Sequence, residues 1–238
     1  MPSSNVRESP PVKPARLIHL PRMLLTHHRG LHSDPMLNYI YNTDIEGGFT
    51  GRWGLFICTE IFIAMFTVAY LFKRTNYQIG GGLAFITIGS AGIAPPADDR
   101  LMGWILSFIM WAHATFATPE QRSRDAEYNT KKQTLLAEVL PDKYKYAVIS
   151  ILVADPCLHG KGYGRTLMQT VCALADARQE KLWLTSTNAK NRSFYESSGF
   201  NVIGSLTIGD DNPAWAAPPS RIDIMTRHPE PLPEIVSH

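Results

Sequence analysis

One stretch constrains the fold of this chain more than any other. Residues 146–154 form an apolar, β-branched run that Pro156 stops. Gly160, Gly162 and Gly164 follow, alternating with larger residues, and a helical pattern begins at once from Arg165. Tyr163, Leu167, Val171 and Leu174 recur at core-facing helical spacing, and residues 181–185 read as the next strand. The order predicted is strand, glycine loop, helix, strand. Glycines let the backbone approach a ligand closely and adopt positive φ. A helix N-terminus fed by such a loop presents free N–H groups and a positive dipole end, which suits an anion. A pyrophosphate fits it, so a nucleotide-like ligand is expected.

Two familiar nucleotide loops do not match. A P-loop needs a hydroxyl residue after its lysine, and Lys161 is followed by Gly162. A dinucleotide fold places an acid at the tip of the next strand, whereas Glu180 precedes that strand.

Upstream, residues 35–42 read as a short helix capped by Ser33 or Asp34, and residues 43–51 as a glycine-containing loop. Residues 52–75 read as a long apolar helix. Residues 77–79 and 83–88 read as strands joined by Gly80, Gly81 and Gly82, and residues 91–94 as a third short strand. Residues 101–116 look helical. Thr118-Pro-Glu-Gln is a capping signature that opens a polar helix running to about Leu140, where Pro141 ends it. Downstream come a short helix at 188–198 and strands at 200–208 and 221–226. The expected class is α/β (α+β), a mixed central sheet flanked by helices. Residues 1–33 are expected as a flexible N-terminal arm, 34–227 as one domain and 228–238 as a loose tail.

The charge balance is 23 − 21 = +2, and basic clusters are not interleaved with aromatics, so no nucleic-acid surface is expected. Cys58, Cys157 and Cys172 are odd in number and far apart, which suits reduced thiols and a cytoplasmic setting. No Cys/His spacing argues for a metal; His27, His28 and His32 fall in the arm. Residues 17–32 lack acids, which would also suit a mitochondrial transit peptide; a short arm packing on the domain is preferred. Residues 54–72 have only Thr59, Glu60 and Thr67 as polar members. Such a run could span a membrane, but Glu60 near its centre would cost roughly 2.5–3.5 kcal/mol. A buried helix is the reading taken, and membrane association is not expected.

A second motif lies downstream. In Leu184-Thr-Ser-Thr-Asn-Ala-Lys-Asn-Arg-Ser-Phe-Tyr-Glu-Ser-Ser-Gly-Phe200, the positions Asn191, Phe194-Tyr195 and Gly199-Phe200 resemble the second signature of the GCN5-related N-acetyltransferases (GNAT). The loop His159-Gly-Lys-Gly-Tyr-Gly164 resembles that family's Q/R-x-x-G-x-G/A acyl-CoA motif, with His159 standing where Gln or Arg is usual. Over residues 36–227 the plan is most similar to puromycin N-acetyltransferase-like proteins.

The resemblance implies a GNAT fold and an enzyme that moves acetyl from acetyl-CoA to a primary amine of a small molecule by direct attack. It implies that the main chain of Leu152, Val153 and Ala154 borders the pantetheine arm, with Leu152 and Ala154 pairing to it. It implies that the loop of His159, Gly160, Lys161, Gly162, Tyr163, Gly164 and Arg165 holds the pyrophosphate. Asn191 would contact the cofactor arm, and Tyr195 would act as general acid toward the leaving thiolate. A phenol is protonated at neutral pH and can donate to a thiolate.

Several residues carry competing readings. Cys157 has no partner base and is not read as a nucleophile. Glu60 and His113 are candidate bases for the acceptor amine. Trp104, Phe108 and Trp111 read as core before substrate cage, and Asp210-Asp211 as a turn. O-acetylation of a secondary metabolite and a non-catalytic acyl-CoA-binding protein are the rival functions. A homodimer is allowed.

Overall fold

A computed structural model of the protein describes residues 11–41, 75–92 and 117–231, together with Trp104, Ser107, Phe108, Trp111 and Thr115. Its strands are β1 (Lys13–Pro14), β2 (Asn76–Ile79), β3 (Ala84–Gly89), β4 (Tyr146–Ala154), β5 (Lys181–Ser186), β6 (Asn201–Ile208) and β7 (Ser220–Arg227). They form one seven-stranded sheet in the order β1-β2-β3-β4-β5-β7-β6. β4 and β5 run parallel, and the other neighbouring pairs run antiparallel. The helices are α1 (Leu20–Leu31), α2 (Pro35–Tyr41), α3 (Pro119–Val139), α4 (Tyr163–Ala177) and the short α5 (Arg192–Glu196). This is the mixed sheet with flanking helices expected of a GNAT fold.

Side-chain alternation along the strands sorts the core into two layers. Ala84, Ile86, Leu152 and Ala154 face α4, where Leu167, Met168 and Val171 are buried with them. Phe85 and Val153, an opposed pair on β3 and β4, face the other way and bury Met23 of α1. Farther along that second layer, Tyr39 and Ile40 of α2 pack on Leu206, Ile208 and Ile222. Leu136 and Leu140 at the end of α3 close over Ile224.

Local chemistry explains the element ends. The Thr118 hydroxyl accepts from the Gln121 N–H, and the Gln121 side chain accepts from the Thr118 N–H, so the predicted capping box starts α3. Asp34 caps α2 by accepting from the Leu37 N–H at 3.1 Å.

Some expectations are corrected. The supposed arm is integral from Lys13 onward: β1 pairs with β2, and α1 lies on the sheet with Met23, Thr26 and His27 buried. The tail is held at its start, where the His228 ring meets Tyr146 edge-on and the Glu230 N–H donates to Asp176. Ala91 and Gly92 form a turn rather than a strand, with the Gly92 N–H donating to the Tyr144 carbonyl; residues 93 and 94 lie outside the described residues. Thr75 apart, the long apolar segment lies outside them too. Among the described residues no helix is long and apolar enough to cross a membrane.

Candidate active site

The site begins with a parting of strands. β4 and β5 pair from Tyr146 with Lys181 to Ile149 with Leu184, and no farther. Beyond that point β5 stays with β7, while β4 runs on with β3 past a bulge at Ser150. A bulge sharpens the bend of the strand that carries it, and a V-shaped gap opens between the ends of β4 and β5.

The β4 main chain lines this gap in a defined way. The Asp155 N–H donates to the Leu83 carbonyl at 2.8 Å, which makes that opposed pair a hydrogen-bonded one. Hydrogen-bonded and non-bonded pairs alternate in an antiparallel ladder. Ile151 and Val153 therefore turn their amides toward β3, and Leu152 and Ala154 turn theirs toward the gap. Val153 departs from its expected place: its main chain pairs with Phe85, and its side chain is buried against α1.

The glycine loop follows. Gly160 and Gly162 have φ of +75° and +80°, and nothing stands within 4 Å of where a Cβ would sit on either. Gly162 is the left-handed residue before α4, and its carbonyl accepts from the Thr166 N–H. The N–H groups of Tyr163, Gly164 and Arg165 have no partner within the helix, as at any helix start. The Lys161 N–H is different: it donates to the Leu158 carbonyl, so it is not among the free donors expected of the loop. The His159 N–H is likewise engaged, with Pro156. The side chains of His159, Lys161 and Arg165 are exposed, giving the loop two cations at its rim.

The second motif packs onto the first. A Cβ on Gly164 would lie 3.8 Å from the Phe194 ring. Phe194 and Tyr195 meet edge-on at 5.1 Å, and Tyr195 meets Phe200 at 6.2 Å. Tyr163, Phe194 and Tyr195 share one cluster with Leu152 and Ala154. The half-buried Tyr195 hydroxyl makes no hydrogen bond among the described residues. Burial, and next the charge of Asp34, push the phenol up to about 12. Asn191 is exposed at the junction between a 3-10 turn and α5.

Three features were not anticipated. Asp34, expected as a cap alone, also accepts a hydrogen bond from Thr187, just beyond β5. The buried Asp223 binds Arg192, the first residue of α5, through both guanidinium and carboxylate branches. Burial alone would raise the Asp223 carboxyl, but hydrogen bonds from Ser205, Arg192 and Arg221 hold it below the usual range. That pair anchors the helix bearing Tyr195. Finally, Gly30 of α1 packs against Val153 and the Ala154 carbonyl.

Other candidates fall away from the gap. The Cys157 thiol is raised above its ordinary value by its hydrogen bond to Asp155, the opposite of nucleophile activation. Glu60 and His113 lie outside the described residues. Trp104 and Trp111 are exposed rather than core. A cavity of about 300 Å³ is lined by Val171, Leu174 and Arg178. It sits toward the far end of α4, about 12–22 Å from the loop at 1.5 Å per residue, and is not assigned to the chemistry.

The Acetyltransferase (GNAT) family model matches residues 89–200, which include β4, the glycine loop and α5. Among solved structures, arylalkylamine N-acetyltransferase 2 from Aedes aegypti superposes with a TM-score of 0.61 at 14% identity, covering 92% of this chain and 98% of that one. The Drosophila melanogaster polyamine N-acetyltransferase, described as forming N-acetylagmatine, gives 0.58 at 13%, covering 92% and 100%. A histone acetyltransferase HPA2 and related acetyltransferase from Corynebacterium glutamicum gives 0.54 at 16%, covering 95% and 99%. No curated protein matches by sequence. At these identities the structural likeness is one of fold. The family match lies on the very segment that carries the parted strands and the open loop, so residues 89–200 are similar to the GNAT acetyltransferase family and the chain has the GNAT fold.

Proposed function

We propose that the protein transfers an acetyl group from acetyl-CoA to the primary amine of a small molecule in a ternary complex. The observation that carries this reading is the strand gap, flanked by the outward-facing main chain of Leu152 and Ala154, the uncapped start of α4, and Tyr195. The residues present fit the donor. An extended amide-bearing arm can add to β4 as a strand would, through Leu152 and Ala154. A pyrophosphate can accept from the amides of Gly160, Gly162, Tyr163, Gly164 and Arg165, with Lys161 and Arg165 at the rim.

Acetyl-CoA supplies an activated acetyl thioester. The amides of β4 hold its arm in register and leave the gap open to the acceptor. Tyr195 donates a hydrogen bond toward the departing sulfur. With the phenol near 12 and a thiol near 8.5, complete proton transfer from Tyr195 to the thiolate is uphill. Its main contribution is then stabilisation of developing negative charge. Holding donor and acceptor together in one gap supplies the rest of the advantage. The resemblance of the sequence to puromycin N-acetyltransferase-like proteins is a likeness of arrangement and names no acceptor.

Calorimetry with acetyl-CoA, followed by thiol release with a panel of amines, tests the reading. Binding with acceptor-dependent release, and an alkali-stable amide as product, is the expected result. No heat of association with acetyl-CoA sinks it; an alkali-labile product assigns O-acetylation, and binding without release under any acceptor assigns a non-catalytic binder.

A further inference from the structure

The corner between α1 and α2 crosses the mouth of the strand gap. On the β4 side, Gly30 lies against Val153 and the Ala154 carbonyl. Four residues on, Asp34 Oδ2 accepts a 2.6 Å hydrogen bond from Thr187 Oγ1 on the β5 side. Asp34 is only 7% exposed, and its Oδ1 accepts from the Leu37 N–H. A carboxylate offers about four acceptor positions, so these two bonds leave it unsaturated.

Its electrostatic situation is unusual for this molecule. Asp155, also buried, has Arg29 at 3.3 Å, and Asp223 has Arg192 and Arg221. Among the described residues no Lys, Arg or His lies within ion-pair distance of Asp34. A buried carboxylate without a countercharge is costly, and an arriving cation relieves that cost. The charge of Asp34 also contributes, after burial, to raising the Tyr195 phenol.

We infer that Asp34 is a specificity residue that receives the protonated amino group of the acceptor and so selects amines that are cationic at neutral pH. The inference rests on the amine-acetylation reading above. The ammonium docks on the carboxylate and releases one proton to solvent. The free nitrogen then forms its bond to the thioester carbonyl carbon as the carbon–sulfur bond breaks. The nitrogen loses its second proton, and the departing sulfur takes one up. One proton is released per turnover of an ammonium substrate.

Asp34→Asn tests this with little structural disturbance, because Asn caps helices as well as Asp and its amide can still pair with Thr187. The substrates are phenethylamine, cationic at pH 7.5, and aniline, neutral there. Acetyl-CoA affinity and thermal stability are measured alongside. The variant is expected to lose about 10- to 100-fold in kcat/KM for phenethylamine, mostly through KM, the scale of one buried charge-assisted contact. Aniline turnover and acetyl-CoA affinity are expected to stay within about twofold. Equal loss for both amines, or loss for neither, overturns the assignment of Asp34 while leaving acetyl transfer standing. If the wild type binds acetyl-CoA but turns over neither amine, titration of phenethylamine into the acetyl-CoA complex decides. Weaker binding in Asp34→Asn supports the inference, and equal binding overturns it. Failure of the wild type to bind acetyl-CoA removes the parent reading and this inference with it.

Discussion

Tyr195 and His27 show what burial does to single groups in opposite directions. The Tyr195 phenol, raised to about 12, acts in its protonated form, so any activity it supports is lost only as pH rises through that value. The kcat profile of the wild type is therefore expected to show no fall with a midpoint near 10, the value of free tyrosine. Tyr195→Phe is expected to lower kcat at least tenfold, toward the roughly 10²–10³ loss on removing one charge-stabilising donor, with acetyl-CoA affinity unchanged. An unaltered rate would remove the hydroxyl from the mechanism. His27 is lowered to about 4, first by burial and then by the charge of His28. Its Nδ1 is buried without a partner. Because the folded value lies below the ordinary 6.5, the unfolded chain binds more protons between about pH 4 and 6.5. The stabilisation is complete above 6.5 and is lost as pH falls toward 4, by up to ~3 kcal/mol. Urea unfolding at pH 7.5 and 4.5 should show that loss, and His27→Met should flatten it. Asp34 hid in the sequence for a different reason. A capping role already accounted for it, and its contact with Thr187 joins positions 153 residues apart.

At the level of elements, the motifs that were readable were the local ones. The run from β4 through the loop into α4 is set by β-branched residues, glycines and a helical apolar stripe, all within about thirty residues. The parting of β4 from β5 is implied by the family resemblance, which calls for splayed strands at Leu152 and Ala154, and not by any local residue pattern, because it is a matter of register between two strands and of one bulge at Ser150. Val153 illustrates the consequence: the motif marked it, but strand alternation turned its amide to β3 and its side chain to α1. The contact of α1 with β4 depends on the absence of a side chain at Gly30. A Cβ there would come within 2.2 Å of Val153 Cγ2. Gly30→Ala is therefore expected to push α1 from the strand and to destabilise the fold by about 1–3 kcal/mol, the scale of overpacking in a tight core. Denaturant midpoints compared with those of the wild type give the measurement. A change below ~0.5 kcal/mol would mean that the helix shifts freely.

Across the whole molecule, the segment that composition marked as an arm turns out to be structural. Proline, serine and charge dominate residues 1–16, and Pro21 with two adjacent histidines disguises α1 as irregular. Packing decides otherwise: α1 buries Met23 against Phe85 and Val153, and Thr26 donates to the Gly82 carbonyl of the β2–β3 turn. Deleting residues 1–33 would remove Met23 and expose Phe85 and Val153, at about 1.5–3 kcal/mol for each of the three burials lost. That sum is comparable with the total stability of a typical domain, about 5–15 kcal/mol. The truncated protein is expected to be insoluble or unfolded by circular dichroism and proteolysis, whereas deletion of residues 1–10 alone should be neutral. A folded, monodisperse product from the longer deletion would restore the arm to a dispensable role.

Among the described residues β1 is the outermost strand, and this has one more effect. β1 is two residues long, a lysine and a proline, and proline has no amide hydrogen to lend a neighbour. A charged, donor-poor rim of this kind is how natural sheets resist being lengthened by another molecule. Stacking of copies through that side is thereby discouraged, and the protein is guarded against fibril growth along the flank where its first strand lies.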